Sequence, residues 1–322
     1  MRKNLVINLN DLNQAMELIK GRETKKKLLN SMDIHFNCVN DELVLDCFYG
    51  TEVYPIRETA LATILERMGV NGKTFRVMSD KELADVFKIL NHYLPEFVTV
   101  MISDGAVNSI NSVKYVHIPM EEILDETLSA VAPMCKGDVK IDGIIGYDKT
   151  VIDFFTDRNF VFNKKNNRLI VRLTNSENGT SSVRYSVYAY TNRSTQLLPI
   201  MNDVRVEHKG NDASMDKVVE SVSMLEAVIN NAVTRLKRLQ NITITNIETV
   251  IQRIGSKIGF PKTYIKQVSE DFADIDECKA SDIYEAYVQN VLGNFDKNSS
   301  SFEKYENDLL KMVALDWDEL QK

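Results

Sequence analysis

Apolar residues along this chain recur in two rhythms, steps of three and four that mark helices and steps of two that mark strands. The first segment, from Asn10 to about Met32, reads as a helix with the run Lys25-Lys26-Lys27 on its solvated face. IHFNCV and ELVLDCF alternate instead, and the Asn40-Asp41 pair between them predicts a hairpin. In RETALATILERMG, the positions Ala60, Leu61, Ile64, Leu65 and Met68 return to helical spacing. SDKELADVFKILNHYL adds a start signal, because Ser79 and Glu82 stand at the spacing of a capping box. FVTVMISDGAVNSINSVKYVHIP predicts two or three strands around Asp104-Gly105, and MEEILDETLSAVA another amphipathic helix.

The centre is strand-rich: VKIDGIIG, NFVFN, RLIVRL and SSVRYSVYAYTN alternate between turn residues. After them the longest predicted helix runs from Ser214 to about Leu239, with Val218, Val222, Leu225, Ile229, Ala232, Leu236 and Leu239 in one stripe. The remainder reads as helices, with Pro261 at a helix start and DKNSSS as a linker. Helices and strands mix without regular alternation. That predicts an α+β fold: a central, mostly antiparallel twisted sheet, flanking helices and a helical C-terminal region. The expected divisions are 1–135, 136–260 and 261–322, or one domain throughout.

Composition narrows the function classes. The 322 residues are 44% hydrophobic and 26% charged, a globular balance with a sizeable core. No apolar run approaches the ~20 residues of a membrane span. The opening MRKNLVINLNDLNQ has no apolar core of a secretory signal, so a cytoplasmic protein with no membrane contact is expected. Cys38, Cys47, Cys135 and Cys278 form no Cys-x-x-Cys pair, and the four histidines never fall at helical ligand spacing. Neither a metal nor a cofactor is expected. The net charge is −7, and residues 261–322, with 7 Lys/Arg against 14 Asp/Glu, carry all of it (7 − 14 = −7). Residues 151–240 hold 13 Lys/Arg and 9 Asp/Glu, a local balance of +4.

Catalytic motifs fail on inspection. GVNGKT (69–74) lacks the first glycine of a phosphate-binding loop, Arg67 standing in its place, and Gly69 reads as a helix stop. Glu277-Cys278-Lys279, with Asp274 and Asp276, has no strand pattern to converge it on a metal. No nucleophile elbow, zinc-protease or dinucleotide fingerprint is present, which argues against an enzyme, although a dispersed constellation would leave no such motif.

Chemistry concentrates in RLTNSENGTSSVRYSVYAYTNR (172–193). Strand alternation puts Leu169, Val171 and Leu173 on one face with Val183, Tyr185, Val187 and Ala189. If the turn spans about 174–181, the opposite face gathers Arg168, Arg172, Arg184, Tyr188 and Tyr190. Guanidiniums pair with phosphates, and tyrosine rings stack on bases for ~1–3 kcal/mol each. The plainer alternative is an ordinary sheet face, wet or covered by a helix.

DRNFVFN, the Asn175-Ser176-Glu177-x-Gly179 turn, VRVEHKG and ETALATILERMGVNGKTFRVMSDKELADVFKILNHYL resemble, in order and spacing, a phage/plasmid-like family catalogued as domain of unknown function 932. The resemblance covers most of residues 55–300. It departs at NSINSVKYV, which keeps Tyr115 but has Lys114 where that family often has arginine. It implies phage, prophage or plasmid origin and a host-cytoplasmic setting, and no activity. With the hairpin, it suggests a non-catalytic, oligomeric protein that binds or anneals single-stranded DNA in replication or recombination. Arg168, Arg172, Arg184 and Lys209 would take phosphates, Tyr188 and Tyr190 bases, and Asn175, Ser176, Glu177 and Gly179 would build the turn. The acidic C-terminal helices would dock a protein or compete with DNA. The alternatives are a protein-interaction module that inhibits a host defence or replication protein, and a metal-dependent nuclease.

Overall fold

In a computed structural model the chain opens with β1 (Ile7–Leu9) and α1 (Leu12–Lys20). There follow β2 (Thr24–Asn30), β3 (Ile34–Val39), β4 (Glu42–Cys47), β5 (Glu52–Pro55), α2 (Glu58–Arg67), α3 (Asp80–Leu90), β6 (Phe97–Ser103) and β7 (Ala106–Asn111). Next, α4 (Met120–Val131) leads into β8 (Lys140–Ile145), β9 (Thr150–Phe162), β10 (Lys165–Asn175), β11 (Val183–Tyr190) and β12 (Leu198–Val206). The rest is α5 (Met215–Ser223), α6 (Leu225–Arg238), β13 (Thr243–Ile244), α7 (Ile247–Ile258), α8 (Lys262–Asp271), β14 (Cys278–Lys279), α9 (Ala280–Leu292), α10 (Ser300–Val313) and α11 (Trp317–Leu320). The structure describes every residue except 72, 180, 191–196, 211 and 212, together with all side chains of the described residues but that of Asp203. Thr180 of the central turn and the last three residues of the 172–193 stretch therefore lie outside the described residues.

The fold is α+β. Its largest element is an antiparallel six-stranded sheet in the order β1-β8-β9-β10-β11-β12, a meander closed on one side by the N-terminal strand. Helices from both ends of the chain pack with it in one core, which includes Ala15, Ile123, Tyr185, Ile229, Ile251, Tyr284 and Leu309. A second core joins two three-stranded sheets, β2-β6-β7 and β3-β4-β5, to α2 and α3 through Phe36, Leu45, Ile64, Phe87 and Val100. The cores divide the chain differently from the expected boundary at 135. Leu9, Ala15 and Ile19 belong with the large sheet, so the smaller unit, about 24–111, is inserted into the larger one.

Local signals account for several elements. Asn40 and Asp41 both adopt left-handed backbone (φ 51° and 61°), as a two-residue hairpin whose twist matches its strands requires. The Ser79 hydroxyl accepts from the Glu82 amide, while the Glu82 carboxylate accepts from the Ser79 N–H at 2.7 Å, completing the box that opens α3. Gly69 ends α2 with φ +70°, as a helix stop should.

Three expectations differ. The first helix stops at Lys20, and Lys25, Lys26 and Lys27 lie in β2, paired with Ile102, Met101 and Val100 of β6. Lysine and leucine are compatible with a helix, but pairing with β6 overrides that local preference. The long helix breaks at Met224 into α5 and α6, although its apolar stripe stays buried on both sides. No glycine or proline marks that break. The DKNSSS stretch is not a free linker: the Lys297 ammonium bonds Asp142 and Asp153, and the Lys297 carbonyl accepts from Arg172 at 2.7 Å.

Candidate functional site

The β10–β11 register sets Arg168 opposite Tyr190, Ile170 opposite Tyr188, Arg172 opposite Ser186 and Thr174 opposite Arg184. Arg168, Arg172, Arg184, Tyr188 and Tyr190 thus share one sheet face, as alternation implies. What alternation does not reveal is what covers that face. The part of it around Arg172, Tyr188 and Arg184 lies beneath α10 and the segment before it, and the outer end is open among the described residues.

Under the cover, charges are paired. Arg172 is 2% exposed. Its Nε and Nη2 donate to the Asp153 carboxylate at 2.6 and 2.9 Å, a bidentate pair supplied by the neighbouring strand β9. Burial opposes the guanidinium charge, but Tyr188, Asp153 and Glu306 more than offset it. Tyr188 is fully buried, donates to Glu306 Oε1 at 2.8 Å, and lies with its ring centre 4.9 Å from the Arg172 guanidinium. Burial pushes the Glu306 carboxyl above its usual range, against the opposing pull of Arg184, Tyr188 and Arg172. Arg184 reaches Glu303 at 3.5 Å and Glu306 at 3.9 Å. Arg172, Arg184 and Tyr188 therefore hold the acidic helix α10 to the sheet, and Phe302, Leu309 and Met312 of α10 seal it into the core. The proposed open surface of arginines and tyrosines is corrected here: Arg172 and Tyr188 are interior, and Arg184 is partly buried and held to α10.

The outer end differs. Tyr190 is half-buried and meets Phe155 edge-on, with ring centres 5.6 Å apart. Arg168 is exposed, and its ion pair to Asp157 is long at 3.9 Å. Exposed Asn159 and Val161 continue this end, and the hairpin tip adds exposed Lys164 and Lys165, the latter bonded to Glu285. Lys209 is exposed too, but follows the opposite end of β12, where it bridges Tyr115. It cannot share one groove with Arg168 and Tyr190.

The β10–β11 turn is unusual in another way. Turns run over surfaces because their polar groups need water, yet Asn175, Ser176 and Asn178 are at most 1% exposed and Glu177 is 9% exposed. This turn is wedged against Tyr115, beside the smaller unit. The Tyr115 hydroxyl donates to the Glu177 carbonyl at 2.8 Å, and the Glu177 carboxylate meets Arg22 at 3.3 Å. Arg22 also lies over the Tyr147 ring, and Arg57 of the smaller unit lies 3.5 Å from the same ring centre. The Tyr147 hydroxyl donates to Asp104 at 2.6 Å. Two cations and one ring thus clamp the units together. Gly179 is required by sterics: at φ +76°, an added Cβ would sit 2.7 Å from Tyr115 Cε2.

Two histidines flank the turn. His208 Nδ1 lies 3.1 Å from the Val116 carbonyl and Nε2 2.9 Å from Asn175 Oδ1, while the Asn175 NH2 faces Met120 Sδ at 3.5 Å. Both ring nitrogens thus face oxygen acceptors, which a protonated ring satisfies together, whereas a neutral ring donates to only one of them. Burial lowers the His208 pKa and so favours the neutral ring, with the Val116 bond opposing. His117 is also lowered, chiefly by burial, with Glu177 opposing. These contacts put Asn175, Glu177 and Gly179 at a seam between the units. Motif reading found the turn but had no way to find Tyr147, Arg22 or Arg57, which lie far apart in sequence and in no pattern.

Among the described residues, no group of three His, Cys, Asp or Glu side chains is placed to hold a metal ion. No helix among the described residues is long and apolar enough to cross a membrane. No protein-family model, curated protein or solved structure matches the chain, so the family resemblance is carried by the quoted residues alone.

Proposed function

We propose that this chain is a non-catalytic protein that binds single-stranded DNA at the open outer end of its central sheet. The setting is the replication or recombination that the family resemblance suggests. The observation that carries this reading is the pairing of Arg168 with Tyr190 across β10 and β11, beside Phe155 and next to the lysines at the hairpin tip. An exposed, long ion pair such as Arg168–Asp157 is worth only ~0–1 kcal/mol, so a phosphate can replace Asp157 at little cost. A half-buried tyrosine with an aromatic neighbour offers a rigid stacking surface worth ~1–3 kcal/mol per base. Arg172 is different: breaking a buried pair of that kind costs ~3–5 kcal/mol, which no exposed strand recovers readily.

The test is fluorescence anisotropy of a labelled oligothymidine at two salt concentrations. Wild type is expected to bind with a salt dependence of ~0.7 in log–log slope per phosphate contacted. Arg168→Glu/Lys164→Glu should weaken binding at least tenfold at low salt. Tyr190→Ala should weaken it by roughly five- to 150-fold, the range that ~1–3 kcal/mol of stacking implies. Absence of wild-type binding at low salt, or equal affinity of the charge-reversed variant, overturns the reading.

A further inference from the structure

A cavity of about 430 Å³ opens on the smaller unit, between β3, β4 and the end of α3. Its walls are His35, Asn37, Asp46, Tyr49, Lys88 and Asn91, with Phe36 below. His35 and Asp46 are direct partners across the β3–β4 ladder, which fixes their side chains side by side. Two polar atoms in this wall, His35 Nε2 and Asn91 Oδ1, are buried yet have no hydrogen-bond partner. Native interiors rarely leave such atoms unpaired, and a ligand is one thing that satisfies them.

The rest of the wall is held in place by its own bonds. The Asn91 amide NH2 donates to the Ile34 carbonyl at 3.0 Å, which leaves its oxygen free. Asp46 accepts from the Gly50 N–H at 2.6 Å and from the Asn37 amide at 3.3 Å, so it anchors the β4–β5 turn. That turn carries Phe48 and Tyr49 consecutively in left-handed backbone, φ 55° at each. Non-glycine residues hold that conformation at a cost, and such strain gathers at functional positions. Its result is that Tyr49, 77% exposed, stands with its ring centre 4.8 Å from His35 at the mouth of the cavity.

We propose that this cavity binds a small molecule bearing a nucleobase, with its phosphate toward Lys88. A flat heterocycle stacks on the Tyr49 ring. Its ring and exocyclic N–H groups donate to the free lone pairs of Asp46, and a small rotation of the side chains that close off Asn91 Oδ1 and His35 Nε2 brings those two atoms onto the ring edge. Lys88 is exposed, and its 3.7 Å pair with Asp85, one helical turn away, is weak enough to yield to a phosphate. The size lies within the range of small-molecule sites, and the mixture of one aromatic wall with a few convergent polar groups is what such sites present. The site is on the smaller unit and does not depend on the sheet-end interface of the larger one.

The experiment is isothermal titration of the full chain with AMP, GMP, CMP and UMP, each beside its nucleoside, and with inorganic phosphate. At least one nucleotide should bind saturably below millimolar concentration. Tyr49→Ala, an exposed position whose loss leaves the core intact, should weaken that binding at least tenfold. Lys88→Ala should weaken the nucleotide several-fold and leave the nucleoside unchanged. Far-ultraviolet circular dichroism establishes that both variants are folded. Three results overturn the proposal: no nucleotide or nucleoside binds up to millimolar concentration, Tyr49→Ala binds as wild type does, or inorganic phosphate binds as well as the nucleotides.

Discussion

The buried pair of Arg172 and Asp153 separates a structural arginine from a nucleic-acid contact. Both side chains are nearly inaccessible, 3% and 2% exposed, and the carboxylate takes two of the guanidinium's hydrogen bonds. In Asp153→Ala the guanidinium keeps the Lys297 carbonyl as its hydrogen-bond partner, and the lost pairing should cost ~3–5 kcal/mol. That is a large part of the ~5–15 kcal/mol that holds a domain folded. Removing both charges, as in Arg172→Met/Asp153→Leu, leaves no orphaned charge, only the Lys297 carbonyl without its Arg172 donor, and such replacements range from neutral to ~1–4 kcal/mol stabilising. Lys297 then retains Asp142. The assay is urea unfolding followed by the single tryptophan, Trp317, which is buried in the large core. A loss below ~1 kcal/mol in Asp153→Ala, or a double variant as unstable as the single, refutes the reasoning. So does an Arg172→Met protein with an unchanged urea midpoint and abolished oligothymidine binding, since that would make Arg172 a ligand contact.

Gly179→Ala should cost ~2–5 kcal/mol, the sum of left-handed strain and overpacking against Tyr115. Gly105→Ala, at φ +70° with open space around it, should cost only ~1 kcal/mol, so the difference between their urea midpoints isolates the Tyr115 contact. Acidification should loosen the seam. The native pKa values of His117 and His208 are lowered, so an unfolded chain titrating near ~6.5 takes up protons first. Their contribution is complete above that pH and is lost as pH falls through the native values. Glu306, with a raised native pKa, acts in the opposite sense. Comparing His208→Gln with wild type at pH 7.5 and 5.5 therefore isolates the histidine, and the variant should lose less stability between them. An equal loss would remove His208 from the account.

Much of the fold can be read directly from the residues, and the limits have physical causes. Hairpins at Asn40-Asp41 and Asp104-Gly105, the capping box of α3 and the two faces of β10 and β11 are local, set by a few adjacent residues. Lys25–Lys27 misled because strand or helix was decided by β6, some seventy residues away. The same limit applied to the arginine face. Alternation specifies which side chains share a side of the sheet, but α10, more than a hundred residues later, decides whether that side sees water. Of the six residues expected to touch DNA, Arg168 and Tyr190 remain together on an open surface, while Arg172, Arg184 and Tyr188 anchor α10 and Lys209 lies elsewhere.

The insertion of the smaller unit bears on how the chain emerges during synthesis. Residues 24–111 supply every fully buried residue of the second core and emerge together, whereas β1 has no partner until β8 follows. The meander from β8 to β12 then forms from neighbouring strands, which is kinetically simple. Its arginine and tyrosine face stays bare until α10 has been made, roughly 5–20 s later at usual elongation rates. The last long helix of the chain thus closes a surface that the nascent protein must first carry open.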